Sequence, residues 1–125
     1  VFPSQIESVL METREIAPHY QLEVDRIDNL DTLWQPPNGQ PEDVCEQSLR
    51  AVLPRVSNVH VFHWGPKGWS DRHPLAGGAD RWQNYFRILD EDPKPRWALL
   101  EFIKDDSLDQ YRQDAEVLKE LVGNH

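Results

Sequence analysis

The stretch Val56-Ser57-Asn58-Val59-His60-Val61-Phe62-His63-Trp64 decides the fold. Valines and aromatic residues suit extended backbone, and Pro54 and Gly65 bound the run, so it reads as a strand. Alternation along it puts His60, Phe62 and Trp64 on one face and Val59, Val61 and His63 on the other. Ahead of it, Pro41 stands where a helix begins, and Glu42 and Asp43 complement the helix dipole. Val44, Cys45, Leu49, Val52 and Leu53 give that helix an apolar stripe, and Pro54 closes it. Behind the strand, a loop over residues 65–78 carries Lys67, Trp69, Arg72, His73 and the pair Gly77-Gly78. It leads into a helix that buries Trp82, Tyr85, Phe86 and Leu89 and ends at Pro93 and Pro95.

The same alternation continues in both directions. Leu30 to Gln35 is a short apolar run stopped by Pro36-Pro37-Asn38-Gly39, a strand entering a turn. Trp97 to Ile103 is a third strand. Ser107 with Gln110 forms a capping box for a last helix, whose stripe is Leu108, Tyr111, Ala115, Leu118 and Leu121. Near the other end, Ser4 with Glu7 forms a second capping box, and Ile6, Val9, Leu10, Ile16 and Ala17 continue at helical spacing until Pro18. Residues 20–29 fit a strand or a helix extension equally well. The pattern predicts an α/β fold over residues 1–125 as a single domain, with about three parallel strands alternating with about four helices.

Charge and composition narrow the chemistry. Twenty-two acidic residues against 13 Lys and Arg give a formal charge of −9, the opposite of the clustered cations that a nucleic-acid backbone requires. No apolar run approaches the roughly 20 residues of a membrane-spanning helix. One cysteine, Cys45, leaves no internal disulfide, so a reducing, cytoplasmic setting is expected. Cys45 lies on an apolar stripe with no base nearby and reads as core.

Parallel α/β folds build sites at the carboxyl ends of their strands. Three places qualify: Trp34 to Gly39, the His60 to Trp64 segment with its long loop, and Glu101 with Lys104, Asp105 and Asp106. A His and a carboxylate on neighbouring strands offer the nitrogen and oxygen donors that a divalent metal takes. An inward Glu101 in an apolar strand needs a partner or a raised pKa. His60 reads equally well as a packed strand histidine with its nitrogens satisfied, and His63, on the helix-facing side, as structural. Trp34, Trp64 and Trp69 near the strand ends could stack on sugar rings or simply pack. Lys67, Arg72 and His73 suit a substrate phosphate or a solvated loop.

These segments resemble the sugar phosphate isomerase/epimerase family, whose members are xylose isomerase-like (β/α)₈ barrels. The run Val56 to Trp64 is similar to the family's seventh strand, Trp97 to Phe102 to its eighth, and Gly77-Gly78 with Ala79 to Trp82 to the glycine-rich loop between them. The likeness spans about Glu23 to Val122 and implies the carboxy-terminal part of a barrel. It also implies a divalent metal (Mn, Mg, Co or Zn) on His60 and Glu101, with Glu101 moving a proton beside a polarised sugar carbonyl. The sixth strand departs from the family pattern: Gln35 and Asn38 stand where Asp and His are usual, and amides cannot act as general bases near neutral pH. An alternative register using Asp31 and Trp34 places Asp31 too early on the strand. No counterpart of the family's other catalytic Glu occurs in residues 1–22. The expected metal set is therefore His60, Glu101 and Gln35, with Trp34, Asn38, Trp64, Lys67 and Arg72 towards a sugar or sugar phosphate, in a catalytic set that is incomplete.

A closed barrel of this kind needs roughly 250 residues. Three strands alone leave two open edges and an uncovered inner face, which invite pairing. The expectation is a homodimer, or a requirement for a missing amino-terminal half, with no nucleic acid and no membrane partner. The competing expectation is a non-catalytic partial barrel that acts through self-association or small-ligand binding.

Overall fold

The structure is a computed structural model and describes residues 31–123. The expected first helix, its Ser4–Glu7 cap and the open stretch 20–29 lie outside the described residues. Within them the chain runs β1 (Thr32–Trp34), α1 (Glu42–Val52), β2 (Val56–Val61), β3 (His63–Trp64), β4 (Arg72–His73), α2 (Ala79–Leu89), β5 (Trp97–Leu100) and α3 (Leu108–Gly123). Short 3₁₀ turns precede β2, α2 and α3.

Strands β1, β2 and β5 form one parallel sheet in that order. A parallel connection needs a crossover, and α1 and α2 supply the two that join these strands. The described fold is thus a small α/β unit with three parallel strands and three helices. Consecutive strands lie side by side, and among the described residues the sheet does not close.

One irregularity sets which residues meet the helices. Thr32 pairs with Val56 and Leu33 with Asn58, so β2 carries an extra residue at Ser57. Strict alternation would send Val56 and Val59 to opposite faces, whereas the bulge lets both join Val61 in the core. The Ser57 hydroxyl donates to the Thr32 carbonyl at 3.4 Å across the same irregularity.

The core lies between this face and the helices: Trp34, Val59 and Val61 meet Cys45 and Leu49 of α1, Trp82, Tyr85 and Ile88 of α2, and Leu121 of α3. Trp34 stands edge-on to Tyr85 at 5.0 Å and to Trp82 at 6.2 Å, and its indole N–H donates to Ser48 at 3.1 Å. Edge-to-face pairs of this kind add about 0.5–1.5 kcal/mol each beyond their burial. On the opposite face Trp97 and Leu99 remain 74% and 44% exposed.

The helix stripes need two corrections. Val44 is exposed on α1, and Leu108 and Tyr111 are exposed on α3, whose inner side is Asp114, Val117, Leu118 and Leu121. Helical spacing fixes which residues share a face but not where a neighbour ends, and α3 packs on α2 by its later turns. The cap of α3 is also simpler than a reciprocal box. The Gln110 N–H donates to the Ser107 hydroxyl at 3.2 Å, while the Gln110 side chain reaches Asp114 at 2.8 Å instead. Asp114 is buried, and it accepts the Leu75 N–H at 3.1 Å, tying α3 to the turn before α2.

A second small sheet was not foreseen in the loop over residues 65–78. β3 and β4 pair antiparallel, His63 opposite His73 and Trp64 opposite Arg72. Gly68, at φ 89°, makes the turn of the connecting segment in a conformation that a side chain would strain.

Candidate functional site at the carboxyl ends of the strands

In β2 and β5, His60 pairs with Leu99 and Val61 with Leu100, and the Glu101 N–H continues the ladder by donating to the Val61 carbonyl at 3.1 Å. That register delivers His60 and Glu101 to one place. His60 Nδ1 and Glu101 Oε2 are 2.7 Å apart, with side chains 10% and 31% exposed. Burial pushes the His60 imidazole below its ordinary range, although the Glu101 carboxylate beside it pulls the other way. The stable arrangement near neutral pH is therefore a neutral imidazole beside the carboxylate. A nitrogen and a carboxylate oxygen this close suit shared binding of a metal ion or of a proton.

Immediately after Glu101 the backbone turns sharply. Phe102 sits at φ 54°, a left-handed conformation that costs a bulky residue about 1–3 kcal/mol. The turn puts its ring against Phe62 at 5.0 Å and Trp64 at 4.8 Å, with the Arg72 guanidinium 5.5 Å above it. This aromatic cluster walls one side of the strand ends.

The other expected residues are distributed as follows. Gln35 follows Trp34, which pairs with Val59, so the register brings it level with His60. Its Oε1 is buried without a hydrogen-bond partner. Trp34 is not at the strand ends but inside the helix-side core. Arg72 is committed to structure: it bonds Asp106 at 2.8 Å, the Trp69 carbonyl at 3.2 Å and the Ile103 carbonyl at 3.5 Å. Lys67 is exposed on the loop, and its backbone N–H donates to Asp71 at 3.3 Å. Among the described residues, no three or more His, Cys, Asp or Glu side chains gather as a metal cage.

Asn38 and Trp64 line a cleft of about 480 Å³ on the helix side of the same strand ends, together with His63, His73, Arg81 and Tyr85. Trp64 Nε1 is buried without a hydrogen-bond partner. Burial, with His73 and Arg81 nearby, pushes His63 below its ordinary range. Arg81 and the Asp71–His73 pair escaped the sequence reading. Arg81 lies in the first turn of α2, off the apolar stripe that marks the helix, and the pairing of β3 with β4 has no pattern beyond two dipeptides.

The class that fold and geometry define is a small parallel α/β unit with polar groups gathered at the carboxyl ends of its strands. A family model for the AMP-binding enzyme C-terminal domain matches residues 1–34, reaching only β1 of the described unit. No curated protein and no solved structure matches the chain.

Proposed function

We propose that residues from β1 onward form the carboxy-terminal part of a (β/α) barrel of the sugar phosphate isomerase/epimerase type, contributing half of a metal-dependent proton-transfer site. The observation that carries this reading is the His60–Glu101 pair, 2.7 Å apart on adjacent parallel strands at their carboxyl ends. The residue chemistry fits part of a metal site: His60 Nδ1 and Glu101 Oε2, 2.7 Å apart, with the unpartnered Gln35 amide oxygen, would hold a divalent cation such as Mn²⁺, Mg²⁺, Co²⁺ or Zn²⁺. Such a cation would polarise a sugar carbonyl. Glu101 would take and return the proton on the neighbouring carbon, and His60 would keep that carboxylate oriented. A second acid–base group is needed for turnover, so the unit is expected to be inactive until further strands complete the site.

Native mass spectrometry with added Mn²⁺ tests the proposal. One bound ion, lost in His60→Ala and weakened in Glu101→Gln, is the expected result. A wild-type chain that takes up no ion, or a His60→Ala chain that keeps it, would overturn the half-site.

A second reading, assembly without catalysis, is favoured by the exposure of Trp97 and Leu99 on the face of the described sheet opposite the helices. A second copy is the natural cover, because each copy brings the same exposed Trp97 and Leu99. The same spectra read it: metal-free dimers support this reading over the first, and metal-free monomers remove both.

A further inference from the structure

The cleft on the helix side of the strand ends takes no part in the proton transfer proposed above. Its polar lining comes from separate elements: Asn38 from the turn after β1, His63 from β3, His73 from β4 and Arg81 from α2. The two imidazoles are cross-strand partners with ring centroids 5.7 Å apart.

Both rings are seated by glycines. A Cβ on Gly78 would lie 2.7 Å from His63 Nδ1, and one on Gly77 would lie 3.2 Å from its Cδ2. At Gly65 a Cβ would meet Asp71 Oδ2 at 2.2 Å and His73 Nε2 at 2.6 Å. Side chains at these positions would displace the histidines, so the backbone here is shaped around them. His73 is further fixed by Asp71, whose Oδ1 lies 2.8 Å from Nε2. Asp71 in turn accepts the Lys67 N–H, and these bonds hold its carboxyl below the usual range. Arg81 lines the same cleft and makes no ion pair among the described residues, whereas Arg50 and Arg72 are each paired to a carboxylate.

We propose that this cleft binds the phosphate group of a small phosphorylated molecule, with Arg81 as the principal cation and the His63 and His73 imidazoles as further donors. Three donor groups arriving from α2, β3 and β4 suit a tetrahedral oxyanion better than a planar carboxylate. The cleft has room for more than the phosphate, and Trp64, whose buried indole N–H has no hydrogen-bond partner, is among its lining residues. The proposal is independent of the His60–Glu101 half-site, because neither His60 nor Glu101 lines the cleft.

The test follows the histidine ring signals of the full chain by NMR during titration with inorganic phosphate, at constant pH and with chloride at matched ionic strength as control. Expected is a saturable shift of the His63 and His73 signals while His60 stays in place, with chloride and acetate giving none. Arg81→Gln should weaken phosphate binding about 10-fold or more, the usual effect of losing a bond to a charged group. Arg81 is exposed, so this substitution should leave the fold intact. Gly65→Ala, which drives a methyl into the Asp71–His73 pair, should also weaken binding, and His60→Ala should not. Unmoved His63 and His73 signals, equal shifts with acetate, or an unchanged affinity in both Arg81→Gln and Gly65→Ala would each overturn the proposal. A wild-type chain that binds phosphate but takes up no Mn²⁺ would refute the half-site alone.

Discussion

Arg96 holds the register on which the His60–Glu101 pair depends, and replacing it by methionine should cost about 3–5 kcal/mol of stability, as expected for removing one partner from a buried polar network. Its side chain is only 9% exposed. The guanidinium donates to the Val56 carbonyl at 2.8 Å, the Leu89 carbonyl at 3.1 Å, the Asp92 carbonyl at 2.7 Å and the Leu53 carbonyl at 3.3 Å. Those acceptors are the start of β2, the end of α2, the turn after it and the 3₁₀ turn after α1, so one side chain ties the α1–β2 and α2–β5 connections to the residue just before β5. Methionine matches the length of the stem but leaves four carbonyls without their donor. At about 1 kcal/mol net per bond the loss is about 4 kcal/mol, and the part-exposed Asp92 carboxylate at 3.4 Å adds little. Against the typical total of about 5–15 kcal/mol for a domain, this is a large fraction. Urea unfolding followed by the fluorescence of the buried Trp34 and Trp82 measures it. Arg96→Lys should recover less than half, since an ammonium cannot span the four carbonyls. A midpoint shift worth less than about 1 kcal/mol in Arg96→Met, at unchanged slope, would refute the clamp.

Two further expectations follow from buried groups. Cys45 is buried, and burial pushes its thiol up, so alkylating reagents should label it only after denaturant unfolds the chain. Prompt labelling of the native protein would contradict the packing of α1 on the sheet. His60 and His63 are both held below their ordinary value of 6.5 by burial. The unfolded chain therefore binds protons at these rings more readily than the folded one. Stability should be complete above that value and fall as pH drops beneath it, for example between about pH 7.5 and pH 5.5. The depressed carboxyls of Asp71 and Glu91 act only at lower pH, below their ordinary 3.8 and 4.5. His63→Gln should flatten part of the decline, and a urea midpoint that is constant or rises on acidification would count against it.

Sequence alone determined the alternation of strands and helices, because each element carries its own period and its own stops. Val59 and Val61 against His60 announced a strand with two unlike faces. Trp82, Tyr85, Phe86 and Leu89 announced the buried side of α2, and prolines marked most of the ends. His60 and Glu101 were also legible, since polar side chains inside apolar strands demand a reason. Sequence could not show that they meet, because their 2.7 Å separation depends on the β2–β5 register, a relation between residues far apart in the chain. Tertiary structure alone decided that Ser57 forms a bulge and that Trp34 packs into the core. It also committed Arg72 to Asp106 and the strand-end carbonyls, and paired His63 with His73 around a cleft that Arg81 completes. The physical reason is common to all of these: periodicity is local and repeats, while register, bulges and the seating of a side chain against a distant glycine are set by long-range packing, which leaves no repeating mark in the sequence.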